Sequence, residues 1–258
     1  MIKLFITDLD GCISHPFTTP HWPSINAIRE LNLQSRTADH VPPLSICTGR
    51  PFPYAEAVAQ WLDVKLPFVF ESAGVYHWKG NRVETAFDNK PGALDAVESI
   101  RRWLADSVLP DYPNAQLEFT KLMDAGIVCP DTDIVNEIYD RILRRIDEKG
   151  LELEVHTTDI SVNVLLKGNN KLAGIRMIAG HAGVGLHEVA YIGDTSGDVV
   201  ALKEVKMPFA PINARDVAKE NADVLQQETT KAVLEAYKRV IDYNMNLINE
   251  GQKHSPPV

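Results

Sequence analysis

The chain is poor in cysteine and has no long hydrophobic run. Its 258 residues include only three cysteines, Cys12, Cys47 and Cys129, none of them in a Cys-x-x-Cys pair. Three scattered thiols exclude a disulfide framework and a cysteine zinc site. No segment approaches the roughly 20 apolar residues of a membrane-spanning helix, and the apolar run at residues 1–7 is too short for a signal peptide. We therefore expect a cytoplasmic protein with no membrane partner.

Positive charge is also scarce. The chain has 26 Lys and Arg against 35 Asp and Glu, a formal net charge of −9. Because nucleic acids are bound through clustered Lys and Arg, we expect no nucleic-acid partner. The apolar fraction of 45% and the charged fraction of 24% are ordinary for a globular protein and exclude a disordered chain.

Two parts of the chain show the alternation of strands and helices that is typical of a parallel sheet. Near the amino terminus, three short apolar runs alternate with two helical patterns, at residues 2–7, 24–33, 42–47, 55–62 and 68–70. The alternation returns at Lys171 and continues to a long final helix at residues 228–247. This order predicts an α/β fold whose core is a doubly wound, Rossmann-like parallel sheet.

The residues between these two parts follow another pattern. Two amphipathic helices, at residues 93–104 and after Asp133, are grouped with four strand-like runs, at residues 116–120, 125–129, 152–156 and 162–166. Such grouping predicts an α+β domain. Residues 82–166 hold nine Lys and Arg against 17 Asp and Glu, so nearly all of the excess negative charge lies there. We expect a core of residues 1–81 and 167–258 and an inserted domain of residues 82–166.

Acidic residues follow two of the predicted strands. Asp8 and Asp10 come directly after the first strand, and Asp194 and Asp198 come after the strand at residues 188–192. The carboxyl ends of parallel strands form the ligand-binding edge of such a sheet, so we expect these side chains to meet there. Carboxylates held this close repel one another unless a cation lies between them. Oxygen ligands of this kind suit Mg²⁺, so the sequence predicts a magnesium site.

Groups that suit a phosphate accompany these acids. Thr48, Gly49 and Arg50 follow the second strand and offer a hydroxyl and backbone N–H groups to an anion. Lys171 opens a helix and offers a point cation. One carboxylate can attack phosphorus, a second can move a proton, and a lysine with a metal ion can offset charge on the phosphoryl oxygens. Together these residues predict a phosphoryl-transfer site.

Four groups of residues resemble, in their order along the chain, the four motifs of the haloacid dehalogenase superfamily. These groups are Asp8 with Asp10, residues 48–50, Lys171, and Asp194 with Asp198. The insert between the second and third motifs is similar to the large α+β cap of the Cof-type, sucrose-phosphatase-like branch. The resemblance implies a Mg²⁺-dependent phosphatase that acts on a small phosphorylated metabolite through an aspartyl-phosphate. It also implies that the inserted domain sets the substrate specificity.

The resemblance assigns a role to each matching residue. It implies that Asp8 is the nucleophile, that Asp10 is the general acid and base, and that Lys171 offsets charge. The implied metal ligands are the Asp8 and Asp194 carboxylates and the Asp10 backbone carbonyl. Asp198 is implied to lie behind these ligands without binding the metal directly. The implied contacts to phosphate or substrate are Gly11, Thr48, Gly49, Arg50 and Asn213.

Some positions depart from the family pattern. Cys12 stands where Thr is commoner, Gly197 where Asn is frequent, and Ser72 where an Asn-Gly pair is frequent. Lys167 competes with Lys171 for the third motif, and we prefer Lys171 because it follows a short turn and opens a helix.

Two other functions stay open beside a phosphatase. A sugar phosphomutase uses the same aspartyl-phosphate chemistry, and a sugar-phosphate sensor would bind without turnover. The insert has a net charge of −8, which disfavours a polyanionic leaving group and favours a sugar or a small polyol phosphate.

Overall fold

The computed structural model describes residues 1–15, 18–118, 120–158 and 160–253. The chain forms two compact units. The core unit comprises Met1–Glu84 and Asn170–Val258, and the inserted unit comprises Thr85–Asn169. The bounds of the inserted unit lie three residues further along the chain than the predicted 82–166.

The strands within the described ranges are β1 (Leu4–Thr7), β2 (Leu44–Ile46), β3 (Phe68–Phe70), β4 (Gly74–His77), β5 (Arg82–Thr85), β6 (Gln116–Leu117), β7 (Asp124–Val128), β8 (Leu153–Thr158), β9 (Ser161–Leu166), β10 (Val189–Ile192), β11 (Met207–Ala210) and β12 (Asp223–Val224). The helices are α1 (Trp22–Gln34), α2 (Phe52–Trp61), α3 (Ala93–Trp103), α4 (Thr132–Lys149), α5 (Lys171–Ala182), α6 (Val199–Leu202), α7 (Asp216–Lys219) and α8 (Thr229–Lys253). None of these helices has the length and apolar character needed to cross a membrane.

Five strands of the core unit form a parallel sheet in the order β12-β11-β10-β1-β2. Helices cover both faces: Phe5 stacks on Tyr237 of α8, with ring centroids 4.7 Å apart, whereas Leu4 and Ile6 belong to the same buried cluster as Ile175 of α5. Successive strand side chains point to opposite faces, which explains why β1 is apolar throughout. The sheet confirms the predicted doubly wound α/β fold. Its winding direction changes between β1 and β10, where such sheets bind ligands.

The third predicted strand belongs mainly to another sheet. β3 pairs antiparallel with β4, and β5 follows as the third strand of this sheet. β3 also lies beside β2: Cys47 and Val69 form a parallel bridge, and the N–H of Thr48 donates to the carbonyl of Val69 at 3.2 Å. β3 therefore runs parallel to β2, as predicted, whereas β4 and β5 were not predicted. Glu71 and Ser72 have positive φ values, 45° and 69°, which reverse the chain directly after β3 and lead it into the antiparallel strand β4.

The inserted unit contains an antiparallel sheet and two long helices. The sheet has the order β6-β7-β9-β8. Helix α3 packs on β7 and β9, and α4 packs on β8 and β9. The buried Ile100 and Ile138 lie on the apolar faces from which these helices were predicted. Helix α4 begins before Asp133, because the Asp131 carboxylate caps it by accepting two N–H groups of the first turn.

Candidate active site

Asp8 and Asp10 follow β1 at the carboxyl edge of the parallel sheet. Asp8 is buried, and its N–H donates to the carbonyl of Ile192 on β10 at 3.0 Å. Gly11 has a φ of +69°, a conformation that residues with a side chain adopt only with strain. A Cβ on Gly11 would lie 1.9 Å from Oδ2 of Asp194. The glycine therefore allows the acidic loops after β1 and β10 to approach each other.

Lys171 joins two of the carboxylates. It is the first residue of α5 and is buried, with Nζ 2.6 Å from Oδ2 of Asp8 and 2.5 Å from Oδ1 of Asp198. Burial by itself lowers the pKa of a lysine, but the charges of Asp198 and Asp8 raise the pKa of Lys171 well above its ordinary value. Lys167, the competing residue, is exposed in the inserted unit. The structure thus brings Lys171 to Asp8.

Asp198 is fully buried and accepts five hydrogen bonds. Its Oδ2 accepts from the N–H groups of Asp194 (3.1 Å) and Thr195 (2.9 Å) and from the Thr195 hydroxyl (3.0 Å). Its Oδ1 accepts from Lys171 and from the hydroxyl of Tyr191. Burial raises the pKa of Asp198, but the charge of Lys171 and these donors outweigh burial and lower it. Asp198 therefore orients both Lys171 and the loop that carries Asp194.

Tyr191 is a site residue that the sequence reasoning missed. It lies in the middle of β10 and is fully buried, and its hydroxyl donates to Asp198. A tyrosine inside an otherwise apolar strand must find a hydrogen-bond partner for its hydroxyl. This requirement could have indicated from the sequence that Tyr191 contacts a polar group. Which carboxylate would accept the hydroxyl depends on the loop after the strand.

Asp194 presents a buried oxygen that suits a cation. Its Oδ1 has no hydrogen-bond partner among the described residues, and carboxylate oxygens of Asp8 and Asp194 lie within 4.8 Å of each other. Burial, followed by the charge of Asp198, raises the pKa of Asp194 to about 7. A buried polar atom without a partner is costly, and a cation would remove this cost. The two hard oxygen donors therefore fit Mg²⁺.

Cys12 lies beside this pair of carboxylates. Its Sγ is within 4.8 Å of the Asp8 and Asp194 oxygens, and it donates weakly to the carbonyl of Ile192 at 3.8 Å. Burial raises the pKa of the Cys12 thiol well above its usual value, and the charge of Asp194 raises it further. Cys12 is thus a neutral, buried side chain and not a ligand for a hard cation.

Arg50 binds Asp10 through two hydrogen bonds. Nε donates to Oδ2 of Asp10 at 2.6 Å and Nη2 donates to Oδ1 at 2.9 Å, which orients the carboxylate. Thr48 is buried, and its Oγ1 accepts the N–H of Arg50 at 3.1 Å. Gly49 lies between them, and a Cβ there would meet only Oγ of Ser72, at 3.7 Å. The loop after β2 therefore lies beside the loop after β1.

Both polar atoms of the Asn213 side chain are engaged within the protein. Nδ2 donates to the carbonyl of Gly11 at 2.9 Å, and Oδ1 accepts the N–H of Thr229 at 3.0 Å. The resemblance implied a contact between Asn213 and the substrate. The observed contacts attach the Gly11 loop to the start of α8, and the contact with substrate stays a prediction.

The predicted residues form one connected site in the core unit. Lys171 donates hydrogen bonds to Asp8 and Asp198, and Asp198 accepts the N–H of Asp194. Asp10 accepts from Arg50. In this arrangement, a carboxylate can attack an electrophile that lies between an ammonium group and a cation. Such a site suits reactions in which negative charge develops on phosphoryl oxygens.

Comparison with protein families finds one match that covers half of the chain. The family model for haloacid dehalogenase-like hydrolases matches residues 106–236. A phosphoglycolate phosphatase of Methanopyrus kandleri is 26% identical over 244 residues, which cover 94% of this chain and 98% of the relative.

Solved structures share the fold at lower identity. The structure of protein 0175 from Thermoplasma acidophilum matches with a TM-score of 0.71 at 17% identity. The match covers 93% of this chain and 98% of that chain. The sucrose-phosphatase of Synechocystis, solved with sucrose and phosphate, has a TM-score of 0.65 at 16% identity, with the same coverage of 93% and 98%. At these identities the two likenesses show the fold.

Proposed function

We propose that this chain, which belongs to the haloacid dehalogenase-like hydrolases, is a phosphatase of the Cof type and hydrolyses a small phosphate monoester through an aspartyl-phosphate on Asp8. One observation supports this most directly. The buried Asp8 carboxylate lies at the carboxyl edge of the sheet, 2.6 Å from the ammonium of Lys171 and within 4.8 Å of a carboxylate oxygen of Asp194.

In the first step, the Asp8 carboxylate attacks phosphorus and the bond from phosphorus to the leaving oxygen breaks. Asp10, oriented by Arg50, gives a proton to that oxygen, so the product leaves as an alcohol. Lys171 stays charged because its pKa is raised, and it offsets the charge on the phosphoryl oxygens. The Thr48 hydroxyl and the backbone N–H of Gly49 bind the same oxygens.

In the second step, Asp10 takes a proton from water and the water oxygen attacks phosphorus. The bond from phosphorus to Asp8 breaks, which restores the carboxylate and releases inorganic phosphate. Magnesium held by Asp8, Asp194 and the Asp10 carbonyl would offset the combined negative charge of the carboxylates and the phosphoryl group.

The proposed substrate is a small phosphorylated metabolite: a sugar, a polyol or a short hydroxy acid. Similar proteins are named phosphoglycolate phosphatase and sucrose-phosphatase, which supports small leaving groups. In the inserted unit, the ammonium of Lys121 lies between two carboxylates, with Nζ 3.0 Å from Glu118 and 2.8 Å from Asp124. Its charge is already balanced there, which favours an uncharged or singly charged leaving group.

A panel of phosphate esters tests the proposed function. We expect inorganic phosphate and the free alcohol in equal amounts, with kcat/KM at least about tenfold higher for one class of small ester than for nucleotides or phosphoproteins. A phosphomutase would instead return an isomeric phosphate ester without free phosphate. A sensor would bind an ester without converting it. Either result would contradict the proposal.

Activity should require magnesium. Exhaustive treatment with EDTA is expected to lower turnover to background, and added Mg²⁺ should restore it, because three carboxylates, those of Asp8, Asp194 and Asp198, share the single ammonium of Lys171 among the residues described at the site. The measurement is phosphate release against free Mg²⁺, with metal analysis of the treated protein. Full turnover in a metal-free sample would remove magnesium from the mechanism.

The inserted unit should select the leaving group. If residues 85–169 are replaced by a short linker, kcat/KM for the preferred ester should fall much more than for para-nitrophenyl phosphate, because binding energy from the leaving group is lost. Both esters are measured in both proteins, with circular dichroism as the folding control. Equal losses would show that the inserted unit acts on all esters alike.

A further inference from the structure

We propose that His77, Glu84 and His181 form a second metal site, which binds a zinc ion and lies outside the phosphoryl-transfer site. His77 ends β4, Glu84 lies on β5, and His181 lies in the last turn of α5. All three belong to the core unit. Neither the family resemblance nor the proposed mechanism uses any of them.

The geometry of the three side chains is that of a zinc site. Nε2 of His77 lies 3.2 Å from Oε2 of Glu84, and Nε2 of His181 lies 3.1 Å from the same oxygen. The three ligand atoms all lie within 4.8 Å of one another. Around a tetrahedral zinc ion with bonds of about 2.0–2.1 Å, neighbouring ligand atoms are about 3.3 Å apart. The ion can therefore be accommodated with small side-chain movements.

The burial and accessibility of the ligands also suit a metal. His77 is buried at the end of β4, and its imidazole offers a ring nitrogen of the kind that zinc binds. The side chains of His181 and Glu84 are 33% and 28% exposed, which gives an ion access and leaves room for water as a fourth ligand. The competing cation at Glu84 is Arg82, at 3.5 Å, whose side chain is 58% exposed and can turn into solvent.

Ligand chemistry separates this site from the magnesium site. Two imidazoles and one carboxylate suit zinc, whereas Mg²⁺ prefers oxygen ligands. His181 lies ten residues after Lys171 on the same helix, a separation of about 15 Å along the helix axis. A zinc ion here would join β4, β5 and the end of α5, and so stabilise the core unit.

Zinc binding to the full-length protein tests the proposal. The protein is treated with chelator, supplied with saturating Mg²⁺ and titrated with ZnCl₂. We expect one Zn²⁺ per chain that excess Mg²⁺ does not displace, and a rise in Tm of about 5 °C or more. H181Q and E84Q should each weaken Zn²⁺ binding at least tenfold and remove the rise in Tm. H187Q, at an exposed histidine outside the cluster, is the matched control and should behave like the parent protein.

One further variant excludes binding at the other cluster. Zinc could instead occupy Asp8, Cys12 and Asp194, and D194N disables that set. Retention of the bound Zn²⁺ in D194N, together with its loss in H181Q, supports the histidine site. Loss in D194N, or unchanged binding in both H181Q and E84Q, would overturn it. Circular dichroism establishes that each variant is folded, and no readout depends on hydrolysis, so the result is independent of the proposed function.

Discussion

D8N is expected to lower phosphate release at least about 100-fold while leaving the fold intact. The amide has nearly the same shape as the carboxylate, but it cannot attack phosphorus. Lys171 keeps its ion pair with Asp198 at 2.5 Å, so the substitution does not leave a buried charge without a partner. The measurement is kcat with the preferred ester, and circular dichroism and thermal unfolding report on the fold.

D63N is the matched control for this substitution. Asp63 is a carboxylate of the core unit that pairs with Lys65 and Arg36 and belongs to no part of the candidate site. Its replacement should leave kcat within about twofold of the parent protein, since surface ion pairs contribute little. A D8N protein that retains more than about one-hundredth of the parent rate, with contaminating phosphatase excluded, would remove Asp8 from the nucleophilic role.

G11A is expected to cost stability and activity together. Alanine at a φ of +69° is strained by about 1–3 kcal/mol, and its Cβ would lie 1.9 Å from Oδ2 of Asp194. The Asp194 loop must therefore move, which displaces a proposed magnesium ligand. We expect a loss of about 2–4 kcal/mol in the free energy of unfolding and a fall in kcat/KM of at least about tenfold. Urea unfolding and steady-state kinetics measure the two effects.

G180A is the control for G11A. Gly180 lies in α5, is exposed, and a Cβ there would meet nothing within 4 Å. Alanine should raise the free energy of unfolding by about 0.5–1 kcal/mol, because it favours the helix. If G11A is as stable and as active as G180A, the close approach of the two acidic loops is not needed for the site.

The sequence predicted those parts of the fold that local patterns determine. Buried parallel strands are short apolar runs, and amphipathic helices have a regular period, so β1, β10 and α4 were recognisable without tertiary information. The antiparallel pairing of β3 with β4 was not, because nothing in a run of three apolar residues shows that the chain reverses after it. The positive φ values of Glu71 and Ser72 produce that reversal.

The same division applies to the candidate site. The order of carboxylates, hydroxyl and lysine at predicted strand ends was enough to expect a phosphoryl-transfer site, because parallel strands deliver their carboxyl ends to one edge. The connections between these side chains needed the structure. The hydrogen bonds of Asp10 with Arg50, of Asn213 with Gly11 and of Tyr191 with Asp198 depend on how the loops pack.

By itself, the sequence of this protein determined the α/β class, and it predicted an inserted domain and a phosphoryl-transfer site at the strand ends, because these depend on short-range periodicity and on residue type. Only the tertiary structure decided which side chains contact one another. His77, Glu84 and His181 show the difference most clearly: their Nε2 and Oε2 atoms lie about 3 Å apart, although 97 residues separate Glu84 from His181 along the chain. Contacts across such separations depend on how helices and strands pack, and no local pattern encodes them.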